Sequence, residues 1–174
     1  MFLKQAFLLL LAAPLAVAAQ ELTTVAQVDL NRYAGLWYEV AKIPNRFQRK
    51  CIVNTTAEYS LLSDGLIKVV NRCGKPNGRV NSVQGVAKVV DAQTNAKLKV
   101  SFVRFLRKNW FFGDYWIIGL DEEYRWAVVG TPGRKYGWIL ARTKTLDAET
   151  REKIDGILRQ QGYDPITFVD SPHE

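Results

Sequence analysis

Apolar and polar residues alternate with a period of two in one stretch after another between Leu36 and Arg142. The pattern predicts eight strands: Leu36–Ile43, Ile52–Leu61, Leu66–Arg72, Val80–Val90, Ala96–Val103, Tyr115–Leu120, Trp126–Thr131 and Tyr136–Thr143. Turn-forming residues separate most of them, as in Ser63-Asp64-Gly65, Gly74-Lys75-Pro76-Asn77-Gly78, Asp91-Ala92-Gln93-Thr94-Asn95 and Pro132-Gly133-Arg134. No long crossover intervenes, so each strand pairs antiparallel with its neighbour in the chain. Closing such a series into an up-and-down barrel removes the exposed edges. One helix follows the last strand, with Asp147 at its N-cap, a stripe of Ile154, Ile157 and Leu158, and Gly162 at C′. It would lie on the outside of the barrel, because Trp116, Ile118 and Leu120 give the sixth strand a second apolar face. The fold class is an all-β, eight-stranded antiparallel barrel with one C-terminal α-helix on its outside.

The inward faces look hollow. Small residues, Gly85 and Ala87, alternate with Val83 and Val89 on the fourth strand. A barrel of eight strands is just wide enough for one small ligand when side chains do not fill it; a filled core is the alternative. By parity the inward set is Ala57, Tyr59, Leu61, Ile67, Val69, Val83, Ala87, Leu98, Val100, Phe102, Tyr115, Ile117, Trp138 and Leu140. Ligand contact is expected of Tyr59, Val69, Ala87, Leu98, Val100, Phe102, Tyr115, Ile117, Trp138 and Leu140, with Tyr115 and Trp138 toward the mouth. The phase of the seventh strand is undecided, since Trp126/Val128 and Ala127/Val129 are both apolar. Glu39 shares the parity of Trp37; outward placement, or a structural pair with an Arg, is expected before a catalytic role.

Alternate connections of such a barrel fall at the same end. One end collects Arg46, Arg49, Lys50, Lys75, Arg79, Arg104, Arg107, Lys108, Arg134 and Lys135 with no acidic residue; the other carries Asp64, Asp91, Asp121, Glu122 and Glu123 against Arg125. The segment Arg104-Phe105-Leu106-Arg107-Lys108-Asn109-Trp110-Phe111-Phe112 interleaves cations with aromatics. That mixture suits an anionic membrane surface or an anionic headgroup; a lid or a dimer contact is the plainer reading. Nucleic acid is a weak partner for an exported chain despite the formal charge of +7.

Export is read from the start of the chain. Lys4, the apolar run Ala6–Val17 and the small residues Ala16-Val17-Ala18-Ala19 make residues 1–19 a signal peptide, too short to span a bilayer comfortably. Residues 20–174 then form a single domain. In an oxidising compartment Cys51 and Cys73 are expected to form a disulfide, worth about 3 kcal/mol in the chain-entropy model, rather than to remain free thiols. The single histidine, His173, lies in the C-terminal tail, which argues against a Cys–His nucleophile, haem or zinc. No metal or cofactor is expected.

Gly35-Leu36-Trp37 resembles the Gly-x-Trp block that opens the first strand of the lipocalins. Its continuation, Trp37-Tyr38-Glu39-Val40-Ala41-Lys42-Ile43-Pro44, is similar to the branch that holds the bacterial outer-membrane lipocalins and apolipoprotein D. Leu120-Asp121-Glu122-Glu123-Tyr124 keeps only the acid-then-Tyr character of the family's second block, whereas Trp138-Ile139-Leu140-Ala141-Arg142-Thr143 closely resembles the third. The resemblance implies that Gly35, Trp37, Asp121, Tyr124 and Arg142 build a closed base, with Arg142 over Trp37, a contact worth about 0.5–2 kcal/mol. It leaves the basic end, with Arg46, Arg49, Lys50, Arg104, Arg107, Lys108, Arg134 and Lys135, as the mouth.

The resemblance further implies an exported carrier of fatty acids or lysophospholipids in the bacterial envelope, with a role in membrane maintenance, and not an enzyme. A lipocalin-fold enzyme, or a binder of another small hydrophobic molecule, is the alternative. No lipid-anchoring cysteine follows the signal region, so a soluble periplasmic protein is expected, as monomer or homodimer. An integral outer-membrane barrel is disfavoured by Lys68, Lys88, Lys97 and Lys99 at outward positions.

Overall fold

The computed structural model describes residues 21–105, 108–110 and 112–174, of which 103–105 and 108–110 by backbone alone. The signal region, Arg107 and the side chains of Arg104 and Lys108 therefore lie outside the described residues. Eight antiparallel strands form a closed barrel in chain order: β1 (Gly35–Lys42), β2 (Val53–Leu61), β3 (Ile67–Gly74), β4 (Val80–Val89), β5 (Lys97–Ser101), β8 (Gly113–Leu120), β9 (Trp126–Gly130) and β10 (Gly137–Ala141). Pairing of β10 with β1 closes the ring. Between β5 and β8 a small ribbon of β6 (Val103–Phe105) and β7 (Lys108–Trp110) occupies what the sequence reading left as a loop. The observed strands begin and end within a few residues of the expected bounds, with the fifth shortened to Ser101 and the eighth to Ala141.

Helix α2 (Ala148–Gln160) packs outside the barrel. The Asp147 carboxylate accepts from the Thr150 N–H at 2.7 Å and caps its start. Its end is a Schellman motif: Gly162 has a left-handed backbone, its N–H donates to Arg159 O, and the Tyr163 N–H donates to Leu158 O at 2.9 Å. Ile154 and Leu158 are fully buried against Ile118, Trp126, Val128 and Ile139. This layer explains why β9 could not be phased from its sequence: Trp126 and Val128 face the helix, Ala127 and Val129 face the barrel, and all four are buried. Leu120 corrects the sequence reading. A bulge between Ile117 and Gly119 shifts the parity of β8, so Leu120 packs with the barrel interior instead of under the helix.

Helix α1 (Leu30–Tyr33), a single turn capped by Asp29, crosses the base. Arg142 fastens it. Its guanidinium donates to Leu36 O at 2.6 Å, Arg32 O at 2.8 Å and Ala34 O at 2.9 Å, and lies 3.7 Å from the centre of the Trp37 ring. Carbonyls at the end of a helical turn have no intrahelical partner, and one cation serves several of them. Gly35 sits at φ +94°, and a Cβ there would come within 3.5 Å of Arg142. Trp37 is wholly buried and donates its Nε1–H to Tyr33 O at 2.8 Å. Beside it, Asp121 accepts from Arg125 at 2.7 and 2.9 Å, and the Tyr124 hydroxyl accepts from the Asp29 N–H at 2.8 Å.

At the other end β1 and β2 part company. They pair only from Gly35–Tyr38 against Tyr59–Thr56; above that the C-terminal residues fill the seam. Here β11 (Val169–Asp170) pairs with Lys42 and Ala41, Ser171 N–H donates to Val40 O, and Asn54 N–H donates to Pro172 O, both at 2.8 Å. The Cys51–Cys73 disulfide ties the chain before β2 to the end of β3.

Arg142→Lys keeps the charge but replaces a planar set of donors with a point charge. It should lower the denaturant midpoint by the equivalent of about 1–2 kcal/mol, because several carbonyls of the base lose charge-assisted donors at once. An unchanged midpoint would show that the base does not depend on this clamp.

Candidate functional site

The inner wall is apolar. Ala57, Tyr59, Ile67, Val69, Ala87, Leu98, Ile117 and Leu140 are buried in one cluster with Val100, Tyr115 and Trp138 packed against it. Of the remaining residues expected inside, Leu61, Val83 and Phe102 are each 42% exposed. Phe102 lies over Gly85 at the mouth end of β4 and β5; a Cβ on Gly85 would come within 2.7 Å of its ring and 2.3 Å of Ser101 O. The glycine is what lets the two strands approach and the Phe ring settle.

The lower half is fuller than the small residues of the fourth strand suggested. Tyr33 reaches up from α1 with its ring 5.0 Å from Trp37 and 5.5 Å from Tyr59, and Tyr59 lies 6.1 Å from Tyr115. The Tyr115 hydroxyl is the hub, 2.7 Å from that of Tyr33 and 2.8 Å from that of Tyr59. Tyr115 thus points to the floor, not to the mouth as its place on the strand implied. Beside the three rings lies a small cavity of about 10 Å³. That is room for about one water. At this level the barrel is filled, as the alternative reading had it, except for that small void. Tyr33, which precedes the first strand and has no strand parity, supplied the unanticipated filling.

Trp138 does stand toward the mouth. Its Nε1–H donates to Gln48 Oε1 at 2.9 Å, and its ring stacks on Tyr136 with centroids 6.2 Å apart. Gln48 also donates to Glu39 Oε2. Glu39 is buried and points inward, because a bulge after it lets Glu39 and Lys42 both face the interior side of β1. Its Oε1 accepts from Lys42 Nζ at 2.5 Å and from Ser171 Oγ at 2.7 Å. The partner is therefore a lysine three residues on and the placement inward, where an arginine or an outward position was expected. Lys42, Gln48 and Ser171 were not anticipated; the charge of Lys42 at the end of an apolar strand was the available signal.

The rim around the mouth is cationic and apolar together. Phe47 is 67% exposed, Val80 71% and Ile52 48%. Arg46 lies 4.9 Å from the centre of the Phe47 ring and Lys135 lies 5.7 Å from that of Tyr136, while Arg49 and Lys50 are exposed. Arg134 is turned aside: its Nε–H donates to Gln161 O at 2.6 Å, at the end of α2. Among the described residues no group of three His, Cys, Asp or Glu side chains is placed to hold a metal ion.

A family model described as a lipocalin-like domain matches residues 28–173. The chain is a lipocalin. Temperature-induced lipocalin-1 of Arabidopsis thaliana is 39% identical over 148 residues, covering 83% of this chain and 79% of that protein. Outer membrane lipoprotein Blc of Escherichia coli K12 is likewise 39% identical over 148 residues, covering 84% and 80%. Apolipoprotein D of Macaca fascicularis is 36% identical over 143 residues, covering 78% and 72%. Among solved structures, insecticyanin of the tobacco hornworm Manduca sexta superimposes with a TM-score of 0.73 over 90% of this chain and 87% of its own, at 21% identity, a likeness of fold.

Two buried features of this lipocalin lend themselves to measurement. Desolvation, above all, pushes the Tyr59 phenol up to about 12 and raises Tyr33 and Tyr115 as well. An acid raised in the folded state favours folding fully below its unfolded pKa, near 10, and the contribution is lost as pH climbs through the folded value. The unfolding free energy should therefore fall between about pH 10 and 12, less steeply in Tyr59→Phe. A flat profile over that range would contradict the burial. In the second feature, Lys42→Met leaves a buried carboxylate unpaired and should cost about 3–5 kcal/mol, most of it restored in Glu39→Gln/Lys42→Met. Denaturant unfolding of the three proteins reads this directly; equal losses in single and double variants would rule the pairing out.

Proposed function

We propose that this lipocalin is an exported carrier that binds, stores or transports an amphipathic lipid, a fatty acid or a lysophospholipid, in the envelope, with residues 1–19 as its export signal and 20–174 as one domain. The observation that carries the reading is the axial contrast of the barrel: an apolar inner wall leads to a mouth whose described cations are unaccompanied by acidic neighbours on the rim loops. An acyl chain matches the apolar chemistry of the wall, which must part around it to admit it, and an anionic or zwitterionic headgroup matches the rim. Tyr59, Val69, Ala87, Leu98, Val100, Phe102, Tyr115, Ile117, Trp138 and Leu140 would supply the contacts. The titratable groups inside are held in a neutral tyrosine cluster and a closed Glu39–Lys42 pair, which supports binding rather than catalysis.

Exposed Phe47, Ile52 and Val80 beside Arg46, Arg49 and Lys50 further support a transient contact of the mouth with an anionic membrane, where aromatics sit at headgroup depth and cations against the lipid charge. The disulfide accords with an extracytoplasmic home, and the relatives named outer membrane lipoproteins accord with the envelope. Within that envelope the proposed form is soluble and periplasmic.

Native mass spectrometry of mature protein purified without detergent, then titration with a lysophospholipid followed by tryptophan emission, tests the proposal. Saturable one-to-one binding is expected, weakened about tenfold or more by Trp138→Ala, since an aromatic contact and its hydrogen bond are lost together. An empty protein whose emission no acyl ligand changes would end the lipid reading.

A further inference from the structure

The phenol cluster at the barrel floor carries one more hydrogen than it can place. Three hydroxyls supply three O–H donors, yet only two contacts join them, Tyr33 to Tyr115 and Tyr59 to Tyr115. Whichever way the hydrogens rotate, each contact uses one, and one remains. Each of the three phenol oxygens has no other hydrogen-bond partner among the described residues. The rest of the void's lining, including Leu30, Ile67, Leu98 and Val100, is apolar side chain. A buried donor without an acceptor costs more than an average hydrogen bond contributes, so the arrangement is complete only when something brings an oxygen to it.

On the basis of the carrier reading above, we infer that the Tyr33–Tyr59–Tyr115 cluster is a recognition site for a neutral oxygen, a hydroxyl or carbonyl, on the leading end of the bound acyl chain. The preferred guest is then an oxygenated fatty acid or its lysolipid, polar at both ends, with its anionic end at the basic rim. A carboxylate cannot take the floor position. It would be stripped of water among apolar walls, with no cation among the residues lining the void to balance it. A single water fits the same position and takes the spare hydrogen in the empty protein; a hydroxyl or carbonyl carried by the ligand replaces that water without the cost of immobilising it.

The test compares saturated fatty acids from decanoic to hexadecanoic with their ω-hydroxy counterparts, by competition against a fluorescent acyl probe. At the chain length that spans mouth to floor, the hydroxylated member should bind about threefold to tenfold tighter, the range expected of one net hydrogen bond. Tyr33→Phe/Tyr59→Phe/Tyr115→Phe should abolish or reverse that preference while still binding the plain chains. Tyr59→Phe should retain it, because two hydroxyls with one contact again leave one hydrogen over. If the triple variant does not fold, the comparison on the unaltered protein decides alone: plain chains binding as well as hydroxylated ones at every length would overturn the inference. Failure of both ligand series to bind would instead remove the carrier reading on which it rests.

Discussion

Everything at the closed end hangs on one guanidinium. Arg142, at the end of the last barrel strand, lies flat on Trp37 of the first strand and gathers the carbonyls of the turn that precedes it. The contact joins the two strands whose pairing closes the ring, and it holds α1 across the base. Because α1 is held there, Tyr33 points up the barrel, and because Tyr33 points up, Tyr59 and Tyr115 have a hydroxyl to meet. The depth and polarity of the interior are thus set from below, by a residue that touches no part of the upper wall.

The upper end is organised by the opposite device, a buried ion pair in place of a shared cation. Glu39 and Lys42 face the same side only because β1 carries a bulge between them, and that bulge coincides with the place where β1 leaves β2. Ser171 and Gln48 then complete the carboxylate's hydrogen bonds, one from the C-terminal tail and one from the loop after β1. Through Gln48 the network touches Trp138 on the mouth wall. Loop, tail and wall are therefore mechanically coupled through a single carboxylate.

Strand count, order and the outer helix were legible because they rest on local pattern: period two, turn residues, an N-cap and a C′ glycine. The base was legible through Gly35, Trp37 and Arg142, residues whose types are rarely combined by accident at those positions. Three things were not legible, each for a physical reason. Bulges add one residue without changing composition, so the inward turn of Lys42 and of Leu120 left no trace in the alternation. Tyr33 sits in a four-residue helix below the length at which periodicity exists. The seam filled by residues 169–174 depends on a contact more than a hundred positions away, and nothing in the tail's own pattern announces it.

That seam bears on how the molecule reaches its native state. Strand β1 meets β2 close by in the chain, but its other neighbours, β10 and the segment that holds β11, lie far downstream of both. Until they arrive the sheet is open, with two unpaired edges of the kind that invites association between chains. Pairings so distant in sequence also make for slow folding. A chain built this way cannot close its barrel until its first and last strands are both present, so its neighbouring hairpins can form early while closure waits for the whole domain.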